Sequence, residues 1–255
     1  MTISKVDLHI GSGITAFSTT RGECRPEEPY SGFNTCYYTG DSPHRIAACQ
    51  NILASQLDID ASRLILPLQR HTDRVAIIDR LPYPSELLDG IDAIVTRLPR
   101  VALGIHTADC VPLLMADNIS GVIAAVHSGW KGTVARIAAN TIDAMVQLGA
   151  APSRITAVMG PCICRHCFEV GEEVAHKFIQ AGFPESIIDR NHTKPHIDLP
   201  EAIAHTLMQC GVPRHNISLS CGCSRCHPDT YFSARRLGIN SGRTLSVILL
   251  EESRV

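Results

Sequence analysis

Apolar and polar positions along this chain follow two rhythms. Short apolar runs predict strands near 6 to 10, 14 to 19, 74 to 79, 91 to 96, 101 to 105, 111 to 116, 121 to 127, 154 to 159, 216 to 221 and 244 to 250. Helical spacing predicts four helices. The first begins at Asp41-Ser42-Pro43, a capping residue followed by a first-turn proline, and carries the stripe Ile46, Cys49, Leu53 and Leu57. A second runs from Thr133 to Leu148 with Gly149 just past its end, and a third spans Gly171 to Ala181 before Gly182. The fourth opens at Asp198-Leu199-Pro200-Glu201, a capping-box-like start, and ends at Gly211. Strands outnumber helices and several are consecutive, so a regular βαβ alternation is excluded and the fold class reads as α+β. No repeat, linker or low-complexity segment divides residues 1–255, which predict one domain. The polar stretch from 21 to 45, rich in Pro and Gly, is a long loop of the kind that is often functional.

Three of the apolar runs adjoin residues with metal-binding chemistry. The run Gly121 to Val126 stops at His127 and breaks into Ser128-Gly129-Trp130-Lys131-Gly132 before a helix. Val101 to Ile105 gives way to the polar corner His106-Thr107-Ala108-Asp109-Cys110 before the next run, and His71 precedes the strand from Val75. Two imidazoles and a thiolate suit zinc, and three protein ligands leave a fourth position open. Positions 71, 110 and 127 form no local ligand motif, and each by itself is equally a packed structural residue. Asp109 is a candidate for moving protons beside Cys110; turn-capping is its other reading.

The words around these residues resemble a known family. QRHTDRV (69 to 75), DGIDAIVT (89 to 96), TADCVPLLMAD (107 to 117), AAVHSGWKGTVARI (124 to 137), GPCICRHCFEVGEEV (160 to 174) and YFSARRLGINSGR (231 to 243) look like the YfiH family, also called the polyphenol oxidase laccase domain. The resemblance runs in order from FSTTRG (17 to 22) almost to the C-terminus. It implies a layered sandwich of mixed β-sheets flanked by helices, similar to the cytotoxic necrotizing factor catalytic domain. It also implies a zinc-dependent purine nucleoside phosphorylase acting on adenosine, inosine and methylthioadenosine, with adenosine deaminase activity, and zinc on His71, Cys110 and His127. A bacterial branch of the family is linked to editing of peptidoglycan precursors. Glu23 stands where the family usually has a second glycine, and Cys164, Arg165 and His166 replace its usual residues.

Phosphorolysis requires phosphate to be held against the anomeric carbon, so cations are needed. Arg21 in the FSTTRG loop is the first candidate, with Lys131, Arg235, Arg236 and Arg243 as further sources. Asn34 corresponds to the family's loop asparagine and could meet a ribose hydroxyl; an Asx-turn is its other reading.

Composition narrows the remaining choices. With 255 residues, 45% of them hydrophobic, and a net charge of -2, the chain can bury a full core. Its Lys and Arg are scattered and it has one Trp, which gives no platform for nucleic acid. The N-terminal residues lack an apolar signal core and no run approaches the roughly 18 apolar residues of a membrane span, so a cytoplasmic location is expected and no protein partner is indicated. Eleven cysteines argue against a disulfide framework in that setting. Cys162, Cys164 and Cys167 form CxCxxC, and Cys221, Cys223 and Cys226 repeat it. Six thiols so arranged could hold a second zinc or an iron–sulfur cluster; the other reading is reduced thiols that lie close together and hold no metal essential for activity.

Other functions compete with this one. A cysteine hydrolase would use Cys110 as nucleophile, His127 as base and Asp109 or Asp92 as orienter, as in an amidase acting on a cell-wall precursor. A non-catalytic metal-binding module would rest on the cysteine triads. A copper oxidase would draw on paired HxH ligands, and no two of the twelve histidines are separated by one residue. A cytidine-deaminase-type zinc site is excluded, because no HxE occurs and Pro161-Cys162-Ile163-Cys164 breaks the required PCxxC.

Overall fold

The structure, a computed structural model, describes residues 3–219 and 222–252. The elements in chain order are β1 (Lys5–Asp7), β2 (Ile14–Thr19), α1 (Pro43–Gln56), β3 (Leu64–Ile65), β4 (Val75–Ile78), β5 (Ala93–Thr96), β6 (Ala102–Thr107), β7 (Val111–Asp117), β8 (Val122–Ser128), α2 (Trp130–Val134), α3 (Ile137–Gln147), β9 (Thr156–Met159), α4 (Glu172–Gln180), β10 (Ile188–Asp189), β11 (His196–Ile197), α5 (Leu199–Gln209), β12 (Ile217–Leu219), α6 (Ala234–Leu237) and β13 (Thr244–Leu250).

Alternation along the central strands builds two sheets with both faces buried. One sheet has the order β1-β2-β13-β6-β3 and the other β12-β9-β7-β8-β5-β4; β10 and β11 form a separate pair. Between the two large sheets, Ala16, Leu103, Ile105 and Ile248 of the first meet Ile78, Ile94, Leu114, Ile123 and Val158 of the second. Alternate residues of the same strands face outward. Phe17, Leu245 and Val247 pack under Leu53 and Leu57 at α1, while Val95, Leu113, Met115, Ala124 and Val126 pack under Ile142, Met145, Phe178 and Ile203 of α3, α4 and α5. The result is helix, sheet, sheet, helix, the expected layered sandwich. Burial on both faces explains why these strands read as unbroken apolar runs.

The differences from expectation have local causes. Strands β3, β10 and β11 have two residues each and α6 has four, too few for periodicity to register. The helix expected over Thr133 to Leu148 is two helices, because Arg136 adopts φ 63° between them. β12 ends at Leu219, and Ser220 and Cys221 of the expected 216 to 221 strand lie outside the described residues.

Register brings the chemistry to one end of the six-stranded sheet. β7 and β8 pair antiparallel from Val111↔Ser128 to Asp117↔Val122, so Cys110 and Gly129 stand together past the end of the hairpin. β5 pairs with β8 through Ala93↔Val126, and β4 pairs parallel with β5 through Val75↔Ala93. Asp92 and the 71 to 74 loop therefore arrive at the same edge as His127.

Candidate active site and metal centre

His71, Cys110 and His127 converge there, with one ligand atom from each lying within 4.8 Å of the others. Cys110 Sγ is 3.8 Å from His71 Nε2, and the two imidazole rings meet edge to face with centroids 4.7 Å apart. Gly129 makes the approach possible: a Cβ on it would lie 2.7 Å from Cys110 Sγ and 3.1 Å from His71 Cδ2.

Asp92 organises the cluster. Its buried carboxylate accepts hydrogen bonds from the amides of Arg70 (3.0 Å), His71 (2.9 Å) and Thr72 (2.9 Å) and from His127 Nδ1 at 2.7 Å. Collecting three successive amides bends the loop so that His71 takes φ 61°, a left-handed conformation uncommon outside glycine. Burial alone would raise the Asp92 pKa, but His127 and the loop amides outweigh it and hold it at about 2. An ionised carboxylate can only accept, so Nδ1 of His127 donates and Nε2 is left for the cluster. Gln69 anchors the base of this loop by exchanging two 2.8 Å bonds with the His106 backbone.

The electrostatics within the cluster are strongly coupled. Burial would raise the Cys110 pKa, but the two imidazoles, His127 first, overcome it and bring the thiol down to about 6. Burial would lower His127, yet the Cys110 thiolate and Asp92 outweigh it and raise the imidazole to about 9. A thiolate between two imidazoles, one braced by a carboxylate, is a donor set that zinc fits, with one position left open. His106 has no such place. It is buried, its pKa is lowered to about 3 by burial and by Arg243 and His127, and its Nε2 lies 2.9 Å from Thr35 Oγ1.

A cavity of about 260 Å3 opens over the cluster, lined by His71, Asp109, Cys110, Trp130, Lys131, Ile163, Phe168 and Leu199. Its scale suits a small molecule, and two aromatic side chains among apolar walls offer a flat base a place to stack. The aromatic residues were not among the sequence candidates; Trp130 in the HSGWKG run was the one visible signal. Asp109 sits at the rim at φ 92°, its carboxylate accepting from Ser224 Oγ and from the Arg235 amide, both at 2.7 Å.

The expected anion donors divide sharply. Arg21 must be corrected: it is 1% exposed, and its guanidinium donates to the carbonyls of Arg25, Pro26, Glu28, Ser31 and Pro228. A guanidinium has five N–H donors, so none remains for phosphate. Arg243 donates from Nη1 and Nη2 to the carbonyls of Ile239, Ser241 and Gly242 and does not line the cavity over the cluster. Asn34 is corrected too. It is 1% exposed, accepts from the Cys36 and Arg243 amides and donates to Asp41, so it holds its loop, and it does not line the cavity over the cluster. Arg236 pairs with Glu27 at 3.3 Å and lines a different depression beside Cys167 and Cys226. Arg235 stacks near Phe168, 5.6 Å from its ring, and donates to the Glu169 carbonyl. Among the expected cations, Lys131 alone lines the cavity over the cluster.

Comparison with known proteins matches residues 15–251 to the family described as multi-copper polyphenol oxidoreductase laccase. The chain is 46% identical to "Adenosine deaminase RL5" of an unknown prokaryotic organism, over 92% of this chain and 94% of that protein. It is 40% identical to a purine nucleoside phosphorylase of Bacteroides thetaiotaomicron, over 94% of this chain and 93% of that one. Its fold is similar to the crystal structure of the hypothetical protein YfiH of Bacillus licheniformis, with TM-score 0.90, 26% identity and coverage of 98% and 97% of the two chains.

Proposed function

This chain belongs to the multi-copper polyphenol oxidoreductase laccase family, and we propose that it is a purine nucleoside phosphorylase acting on adenosine, inosine and methylthioadenosine that also deaminates adenosine. The observation that carries the reading is the convergence of His71, Cys110 and His127 beneath a cavity walled by Trp130 and Phe168, in a chain whose relatives bear those two activities in their names. Multi-copper oxidation is a poorer fit: two imidazoles and a thiolate suit a single copper as well as zinc, but among the described residues no second histidine-containing ligand group stands beside them to complete a coupled centre.

Zinc held by His71, Cys110 and His127 would supply Lewis acidity at one open coordination position. The protein's own groups supply the rest. Trp130 and Phe168 hold the purine and, with Ile163 and Leu199, exclude water from around it. Lys131 draws phosphate to the anomeric carbon, where a phosphate oxygen forms the new bond to C1′ as the bond to the base breaks. In deamination, water adds at C6 and ammonia leaves. Asp109 is the assigned proton carrier: two of its carboxylate lone pairs are taken by Ser224 and Arg235, and the others remain for a substrate N–H or a water. Asp92 holds the His127 proton on Nδ1 throughout.

A cysteine hydrolase is the second reading, favoured by Asp92, His127 and the lowered Cys110 thiol standing in sequence. It leaves His71 without a role, although His71 Nε2 is 3.8 Å from the sulfur. Metal-analysed protein incubated with each nucleoside, with and without phosphate, separates the readings. Base and ribose 1-phosphate are expected, with inosine from adenosine; metal-free protein that still turns over would leave the hydrolase in place.

No helix among the described residues is long and apolar enough to cross a membrane. We propose a cytoplasmic location.

A further inference from the structure

We propose that Cys164, Cys167, Cys223 and Cys226 form a second metal centre, a closed tetrathiolate site for one structural zinc ion. One sulfur from each lies within 4.8 Å of the others, and Cys167 Sγ and Cys226 Sγ are 3.4 Å apart. Four thiolates tetrahedrally arranged about a zinc at about 2.3 Å stand roughly 3.8 Å from one another, so the group has the dimensions of one ion. A multi-iron cluster would hold its thiolates farther apart, on separate irons.

The spacing that matters is a CxxC in each segment. Cys162 is 3% exposed and packs into the apolar core under the helices, and Cys221 lies outside the described residues. The two CxxC turns are held face to face by backbone. Cys162 and Cys223 make a parallel bridge, and Ser224 N donates to the Cys162 carbonyl at 3.0 Å. Within the first turn Cys167 N donates to the Cys164 carbonyl at 2.9 Å. The Cys164 amide donates across the pair to Cys223 Sγ at 3.3 Å, the type of contact that favours a thiolate ligand.

Charge around the group is complementary. Four thiolates and one divalent ion carry a net charge of about -2, and Arg225, Arg235 and Arg236 line the surface depression that Cys167 and Cys226 share. The depression gives an ion a route in, since Cys226 is exposed.

The site would staple two segments that grip the active-site corner. Ile163 N donates to the Asp109 carbonyl at 2.9 Å from the first, and Ser224 Oγ donates to the Asp109 carboxylate from the second, joined there by Arg235 N from α6. Zinc here would hold the cavity wall formed by Ile163 and Phe168 against Asp109, without entering the chemistry at Cys110.

The test does not depend on the activity. Protein carrying Cys110→Ala should retain about one zinc per chain by mass spectrometry of the native protein, and adding Cys167→Ser and Cys226→Ser should remove it. Alkylation of the wild-type holoprotein gives an answer even if those variants fold poorly. Exposed Cys226 should react at least tenfold more slowly than after a strong chelator, and Cys164, Cys167 and Cys223 should become reactive together with it. A Cys110→Ala protein without zinc, a Cys167–Cys226 disulfide in freshly purified protein, a Cys226 rate indifferent to chelator, or iron in place of zinc would each overturn the assignment.

Discussion

Gly129 has no side chain where one would strike the ligand cluster, and its φ of -80° is open to any residue. Its requirement is therefore one of space. Gly129→Ala should leave the thermal midpoint within a few degrees of wild type while lowering the zinc content of the His71 site and turnover together; full metal occupancy would refute the steric account. Asp92→Asn should weaken zinc at the same site by roughly 10- to 100-fold, because one carboxylate oxygen becomes an NH2 that cannot accept, so either the His127 ring and His71 amide or the Arg70 and Thr72 amides lose their acceptor. Competition with a graded chelator measures it. Lys131 is the cation at the cavity, and Lys131→Ala should raise the phosphate KM by roughly tenfold or more, as the loss of a charge-assisted hydrogen bond requires, with the deaminase rate nearly unchanged.

The β7–β8 hairpin carries Cys110 just before its first strand and His127 near the end of its second, both at its open end, so its register must not slip. Asp117 closes its far turn. Its buried carboxylate accepts from the amides of Ile119 (3.0 Å), Ser120 (3.3 Å) and Ala151 (2.9 Å) and pairs with Arg154 at 2.7 Å. Burial opposes ionisation, but Arg154 and the amides prevail and lower the pKa from 3.8 to about 2. A depressed carboxylate pKa contributes stability that is complete above about pH 4 and is lost as pH falls through about 2, here about 2 kcal/mol. Urea unfolding should show Asp117→Asn less stable than wild type at pH 7, with the gap narrowing between pH 4 and 2. A gap that stays constant across that window would assign the loss to packing.

Arg21 acts across the whole molecule. It ties the 25 to 31 loop and the Pro228 carbonyl into one buried knot, with its guanidinium 4.7 Å from the Phe232 ring. Arg21→Ala leaves five carbonyls short of a donor and should lower stability by at least about 3 kcal/mol. Phosphate KM should not change selectively; a selective rise with an unaltered melting temperature would return Arg21 to the anion site.

The sequence by itself determined the elements whose residues repeat often enough to show a period. Unbroken apolar runs specified the long central strands, and caps and glycines marked the bounds of α1, α4 and α5. The grouping of His71, Cys110 and His127 was legible because each lies beside or at the end of an apolar run and because the words around them resemble a family. Tertiary structure alone decided which charges are free. Arg21, Arg243 and Lys131 are alike as cations in the sequence, and only the folded loops show that the first two donate to carbonyls, Arg21 to those of its own loop and of distant Pro228 and Arg243 to those of the turn just before it. It also decided that Asp92 braces two ligands at once and that the paired cysteine segments meet through CxxC turns. Those facts depend on strand order and register between residues far apart in the chain, which no local pattern encodes.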